Sequence, residues 1–547
     1  MTLKKNDLFE LTVTGYTHDG QGVGRADGIA VFIPGAAVGD VLEVRIVKCL
    51  SNRAIGRIER LIQPSPDRIE SDCPAFPACG GCNYRHITYE AESRQKCEQI
   101  ASALERIGGV ASPAIDYHPA LETDAYRNKA IFPVAPGKDG KAIFGFYRAN
   151  SHAVVPCPVC RIHPPVFSAL AAAVCSYMND YGIPAYDESS QSGVVRSIFI
   201  RRGAVSGEVM VCINAAKRRL KYVDELILYL KAASSELVSV LLSHQPDVSN
   251  RLIGEKIFTL WGKPVITDTL AGNLLSLSPH TFYQVNHAQC EHLYAQILAY
   301  AAQCAPLDTL NVLDLFCGAG SITLALARRC RSAVGLEVVP DAVRDAEANA
   351  LQNNLSNVRF LCADAQDTAE RLAEIGFSPD LVVVDPPRKG LAEPVCQYLT
   401  QLGIPHVIYV SCDPATLARD VARLHEGGYT VEAVSGFDLF PRTANVETVC
   451  LLSKLNAKQH IEINLDMDEL DLTDAEKKAT YQEIKDYVLE HSGLKISSLY
   501  IAQVKQKCGI IERDNYNKPK SEDAKQPQCP PDKEKAIKEA LKHFGMI

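Results

Sequence analysis

Residues 311–321 read NVLDLFCGAGS, an apolar run from Asn311 to Leu315 followed by Phe316, Cys317, Gly318, Ala319, Gly320 and Ser321. The run has the length and character of a buried strand. The two glycines let the turn that follows approach a ligand closely before a helix begins. A dinucleotide fingerprint wants a third glycine at position 323, which is Thr323, so the nicotinamide reading loses ground. From here the chain alternates strand and helix. Strands are expected in SAVGLEVV (332–339), VRFLCAD (358–364), DLVVVD (380–385), HVIYVS (406–411), TVEAVSGFDLF (430–440) and ETVCLLSKL (447–455), with helical stretches separating the first six strands. The short PRTANV link (441–446) forces the last two to be antiparallel neighbours.

Five parallel strands plus a terminal hairpin is the pattern of a class I, Rossmann-like methyltransferase sheet, so the fold class expected is α/β. Ligands of such sheets sit at the carboxyl ends of the parallel strands. Glu337 ends the second strand, where an acid can accept both ribose hydroxyls of an adenosyl ligand. Asp364 ends the third, placed to meet an adenine amino group. Either acid can instead be a helix N-cap. Asp385-Pro386-Pro387-Arg388-Lys389-Gly390 follows the fourth strand. An [N/D]-P-P element there is what nucleobase methyltransferases place beside the target base, its prolines stiffening the backbone. Cys412 ends the fifth strand in VSCDPATL. Glu447 begins the antiparallel seventh strand. Thiol and carboxylate therefore share the rim with Asp385.

The rest of the 547 residues supports other domains. Residues 5–60 alternate apolar and polar positions between glycine turns and read as a small OB-like β-barrel. TYEAESRQKCEQIASALERIG (88–108) reads as an amphipathic helix packing on the catalytic part. Residues 125–280 mix strands such as SIFIRR (197–202) with helices such as FSALAAAVCSYMNDYG (167–182) and read as α+β. The expected domains are 1–62, 63–300, 301–455 and a charged, helical extension at 456–547.

Net charge is −8, but residues 456–475 alone hold six acids and one Lys, and the last 47 residues are net basic, so the global figure does not exclude RNA. No apolar run is long enough for a bilayer, and MTLKKNDLFELTVTG lacks a signal-peptide core, so a cytoplasmic protein with no membrane partner is expected. Nineteen cysteines in a reducing compartment argue for metal, catalysis or packing rather than disulfides. Cys73, Cys79 and Cys82 form a compact Pro/Gly-rich loop, and Cys157 and Cys160 offer further ligands. Zinc and an iron–sulfur cluster both suit this spacing.

The motifs GYTHDGQGVGR and VFIPGAAVGD, CPAFPACGGC, YRNK, FYQVN, LDLFCGAGS, DPPRKG, SCDPATLARD and FPRTANVETV together make the chain resemble, over residues 5–455, the TRAM-containing RNA (uracil-5-)-methyltransferases. Within that family it resembles the iron–sulfur 23S rRNA enzymes. The resemblance implies S-adenosylmethionine contacts by Gln284, Phe316, Glu337 and Asp385, with Ser321 and Asp364 as further candidates. It implies Cys412 as nucleophile, Glu447 as base, and a [4Fe–4S] cluster on Cys73, Cys79, Cys82 and Cys160, leaving Cys157 spare. The chemistry fits those roles: carbon 5 of uracil attacks a methyl sulfonium only after a thiolate has added to carbon 6, and its proton must then leave to a base.

Two positions depart from the family pattern: Asp413 stands where Asn is frequent, and Asn445 where His is. An acid beside Cys412 is expected to raise the thiol pKa unless a base or cation offsets it. Tyr126-Arg127-Asn128-Lys129 and Phe146-Tyr147-Arg148 mix aromatics with cations in a manner that suits RNA. The expectation is a monomer that methylates 23S rRNA. The alternatives are the same chemistry on tRNA and a non-catalytic RNA-binding assembly factor.

Overall fold

The computed structural model describes residues 3–247, 251–454, 481–508, 529–544 and 546. The chain divides into two compact units, Met1–Ala457 and Lys458–Ile547. Within the first, six strands between Leu8 and Gln63 form an N-terminal sheet. Strand Val41–Cys49 alternates inward Leu42, Val44 and Ile46 with outward residues, as a half-buried strand must. The sheet curls so that the Thr14 amide donates to Val23 O at 2.8 Å. Gly56 permits the closure, since a Cβ there would lie 2.3 Å from Val44 Cγ1.

The helix Tyr89–Arg106 is capped by Thr88, whose hydroxyl accepts from the Ala91 amide. Its Ile100 and Leu104 pack with Leu417, Ala418 and Val421 of helix Pro414–Glu426. Next comes strand Ile115–His118, which pairs in parallel with Tyr429–Phe437 and adds an eighth strand to the catalytic sheet. The sequence pattern had shown seven. A four-residue strand carries too little periodicity to be read without its partner.

A central seven-stranded sheet spans residues 129–262, with helices Pro165–Asp180 and Val223–Ala233 contributing to its core. The catalytic sheet runs Val358–Cys362, Ser332–Glu337, Asn311–Leu315, Leu381–Val384, His406–Ser411, Glu447–Lys454, Tyr429–Phe437 and Ile115–His118. Successive residues alternate between its two faces. Leu381, Val383, Ile408 and Val410 enter one core, while Val382, Val384, Val407 and Tyr409 enter the other. Burial on both faces is why these strands are continuously apolar.

In the second unit, helices Tyr481–Ser492, Ser498–Lys507 and Pro531–His543 enclose Ile484, Val488, Ile501, Val504, Ile537 and Leu541. The acidic stretch 456–475 lies outside the described residues. Among those described, no helix is long and apolar enough to cross a membrane.

Candidate active site

Strand register brings three candidate side chains to one rim. Ser411 pairs with Thr448 in the antiparallel ladder, so Cys412, one step on, faces Glu447, one step back. On the other side of His406–Ser411, Val384 pairs with Tyr409 and delivers Asp385 to the same edge. Glu447 is 4% exposed. Cys412 opens into a cleft of about 760 Å³ that Arg388 and Asn445 also line, facing Tyr16 and His18 of the N-terminal sheet and Arg94 of the long helix.

The electrostatics follow from crowding acids into a dry site. Burial, then the neighbouring Asp385, pushes Glu447 up to about 8, while Arg388 pulls it back. Burial alone raises Asp385 to about 7; one edge of this residue still meets solvent, but protein encloses the rest. Burial, then Glu447, pushes the Cys412 thiol up to about 11, opposed by the Arg388 guanidinium. Asp413 also raises the thiol, but less than any of these. Its carboxylate caps helix Pro414–Glu426, accepting from the amides of Ala415 at 2.9 Å and Thr416 at 3.1 Å. Arg388 is thus the cation that opposes the shift without cancelling it.

The glycine turn beside the rim is shaped for close approach. Phe316 adopts φ +66°, a left-handed conformation that a bulky residue holds only where its surroundings impose it. Nothing lies within 4 Å of where a Gly318 side chain would begin, leaving open space over the turn. Glu337 braces this turn: its Oε2 accepts from the Gly318 amide at 3.1 Å and its Oε1 from the Val339 amide at 2.9 Å. Thr323, read from the sequence only as a missing glycine, donates its hydroxyl to buried Asp314 at 2.5 Å. Ser321 Oγ lies 2.6 Å from the Tyr294 hydroxyl. Asp364 is exposed and caps a short 3-10 turn, accepting from the Gln366 amide at 3.0 Å. Gln284 lies on the connection between the central and catalytic sheets, its carbonyl accepting from Asn128 Nδ2 at 2.8 Å.

Cys73, Cys79, Cys82, Cys157 and Cys160 line one cavity of about 320 Å³, walled by Phe76, Ile131 and Phe146. A hydrogen bond from Cys157 holds Cys160 well below the usual thiol range, and His163 Nδ1 lies 3.1 Å from its sulfur. Burial pushes Cys82 up to about 12, with Arg85 opposing. Among the described residues, however, no three His, Cys, Asp or Glu side chains stand in a geometry that would hold a metal ion. The thiols share a cavity without being drawn together as ligands. Cys157, expected to be spare, lines the same cavity, and its thiol donates to the Val159 carbonyl at 3.3 Å.

Known proteins resemble this chain over most of its length. A TRAM domain model matches residues 4–58, and a tRNA (Uracil-5-)-methyltransferase model matches residues 275–455. An uncharacterized RNA methyltransferase of Halalkalibacterium halodurans is 37% identical over 457 residues, covering 83% of this chain and 98% of the relative. The chain belongs to the TRAM-containing RNA (uracil-5-)-methyltransferase family. A second family relative, an uncharacterized RNA methyltransferase of Listeria monocytogenes, is 36% identical over 82% of this chain and 98% of its own length. The crystal structure of the Pyrococcus abyssi tRNA (uracil-54, C5)-methyltransferase in complex with S-adenosyl-L-homocysteine is similar in fold, with a TM-score of 0.67 and 23% identity. The match covers 81% of this chain and 99% of that one.

In this member of the family, two features of the site escaped the sequence pattern. Arg388 stood inside DPPRKG, and the sign of its charge beside a thiol was the available signal. The support for the 438–446 loop had no signal: Lys96, read as one polar residue of an amphipathic helix, is buried against Asp438, 342 positions away.

Proposed function

We propose that this protein transfers a methyl group from S-adenosylmethionine to carbon 5 of a uridine in RNA, with Cys412 as nucleophile and Glu447 as base. The observation that carries this reading is the ladder pairing of Ser411 with Thr448, which faces Cys412 with Glu447 beside Asp385. The 760 Å³ cleft in front of Cys412 is where an extruded base enters. Arg388 favours the Cys412 thiolate, which bonds to carbon 6 and makes carbon 5 an enolate-like nucleophile. When bound, S-adenosylmethionine supplies the methyl group at that carbon. Glu447 then takes the carbon 5 proton, the Cys412–carbon 6 bond breaks, and the ring double bond reforms. The open space over Gly318 and the brace from Glu337 fit an adenosyl ligand, with Phe316, Gln284 and Ser321 as further contacts. Asp385 serves the uracil edge or the donor. Asp364, already capping a turn, is the weakest of the set.

Cys412→Ala tests the mechanism. It should abolish methyl incorporation into RNA while S-adenosylmethionine binding persists; methylation by the variant would sink the role of Cys412. A non-catalytic assembly factor would lose nothing on that change.

We assign the substrate as 23S rRNA, in a cytoplasmic monomer. The N-terminal TRAM barrel supports this reading, as does the gathering of Cys73, Cys79, Cys82 and Cys160 around one cavity, the four thiols to which the proposal gives a [4Fe–4S] cluster. A cluster there would pin the 73–82 loop to the 157–160 turn. Iron and sulfide in anaerobically purified protein test it, and zinc without iron would overturn it. The tRNA activity of the structurally similar Pyrococcus abyssi enzyme favours the second reading. Mapping 5-methyluridine in rRNA and tRNA from a deletion strain decides between them.

A further inference from the structure

A third cavity, of about 1120 Å³, lies at the end of the central sheet where strand Val195–Arg202 begins and strand Val209–Ala215 ends. Its floor is apolar, with Leu242, Phe258 and Leu260. Its wall is the run Lys217-Arg218-Arg219-Leu220-Lys221-Tyr222. Lys217, Arg218, Arg219 and Lys221 are exposed, and among the described residues none of the four forms an ion pair or a side-chain hydrogen bond. Of the acids on the flanking helices, Asp180 accepts from the Tyr229 hydroxyl, and Asp224 and Glu225 occupy the first turn of the helix that follows.

Aromatic rings adjoin the cations. Tyr222 is 50% exposed and held at φ +55°. Its ring stands 4.9 Å from that of Tyr181, and the Arg218 guanidinium sits 5.3 Å from the Phe258 centroid. An exposed tyrosine in a strained backbone conformation, supported by a second ring, presents a fixed π-face at the cavity mouth. Unpaired cations beside such a face match a phosphate backbone carrying an unstacked base. They match an acidic polypeptide less well, since that would leave the ring unused.

The opposite end of the same strand is tied towards the active site. Arg201 donates to the carbonyls of Ser278 at 2.6 Å and Thr281 at 2.8 Å, on the segment leading to Gln284. Eight residues of strand separate the two ends, about 25 Å. We propose that this cavity is a second RNA site, which takes a single-stranded segment outside the methylated nucleotide. Its phosphates lie along Lys217, Arg219 and Lys221, and one base stacks on Tyr222. The proposal rests on the RNA reading above and extends it to a surface remote from the chemistry.

The test is binding of a fluorescein-labelled U20 oligoribonucleotide to the full chain across a salt series. Each lost phosphate contact lowers the slope of log affinity against log salt by about 0.7 for single strands. The triple variant K217Q/R219Q/K221Q should therefore lose about two units of slope. Y222A should bind about tenfold more weakly at unchanged slope. These side chains are exposed, so the thermal unfolding midpoint of the triple variant should equal that of the wild type. Unchanged slope and affinity in both variants would overturn the site. So would polyglutamate of equal length competing as well as unlabelled U20, which would mark a surface for acidic protein. Wild-type protein that binds U20 in this way but never methylates RNA would sink the proposed activity and leave the second site standing.

Discussion

Lys96 and Asp438 form an ion pair at 2.8 Å in which neither side chain is exposed. Lys96 also meets buried Glu92 at 2.7 Å, and Glu92 accepts from the Arg442 amide at 2.6 Å. The helix Tyr89–Arg106 thereby grips the loop that ends at Glu447. Lys96→Met leaves Asp438 in a dry site without its cation and Glu92 with only Arg442, 3.7 Å away, and should destabilise the protein by about 3–5 kcal/mol. A urea unfolding midpoint reads this directly. A loss below about 1 kcal/mol would show that water enters the site and solvates the acids.

The rate should rise with pH. Glu447 must be ionised to act as a base and is pushed up to about 8; Cys412 must be a thiolate and is pushed up to about 11. Both groups are thus inactive when protonated, so kcat/KM should climb from pH 6.5 to 9. Arg388→Ala removes the cation that opposes both shifts and should displace the whole limb to higher pH. A profile that peaks below pH 7 would contradict these roles.

Asp385→Asn should cost activity and gain stability. Burial raises Asp385 from 3.8 to about 7, so the folded state binds a proton that the unfolded state releases. Stability from this group is complete below pH 4 and lost as pH rises through 7. At pH 8 the variant should be more stable than wild type by about 2–4 kcal/mol, with the difference vanishing near pH 4. Thermal unfolding at the two pH values separates the outcomes.

Glu447→Gln should stop the reaction after methyl transfer and before elimination. The covalent RNA–protein adduct should then accumulate as a denaturation-resistant band. If no band forms while the Cys412 thiol remains reactive, Glu447 is not the base.

The amino-acid sequence by itself determined the catalytic sheet and its rim. Leu381–Val384 and Val407–Val410 are apolar at every position because both faces are covered, and the PRTANV link leaves the last two strands no arrangement but antiparallel. Those local rules put Asp385, Cys412 and Glu447 on one edge before any coordinates. The acids at strand ends were less decidable, because an N-cap and a ligand contact require the same residue type in the same place. Only the tertiary structure distinguished Asp364 and Asp413, which cap a 3-10 turn and a helix, from Glu337, which braces the glycine loop. It also decided the contacts between distant parts of the chain: Ile115–His118 as an eighth strand, Lys96 against Asp438, and the cations of 217–221 beside Tyr181. Periodicity encodes which face of an element is buried, but not which partner, hundreds of residues away, buries it; packing alone supplies that.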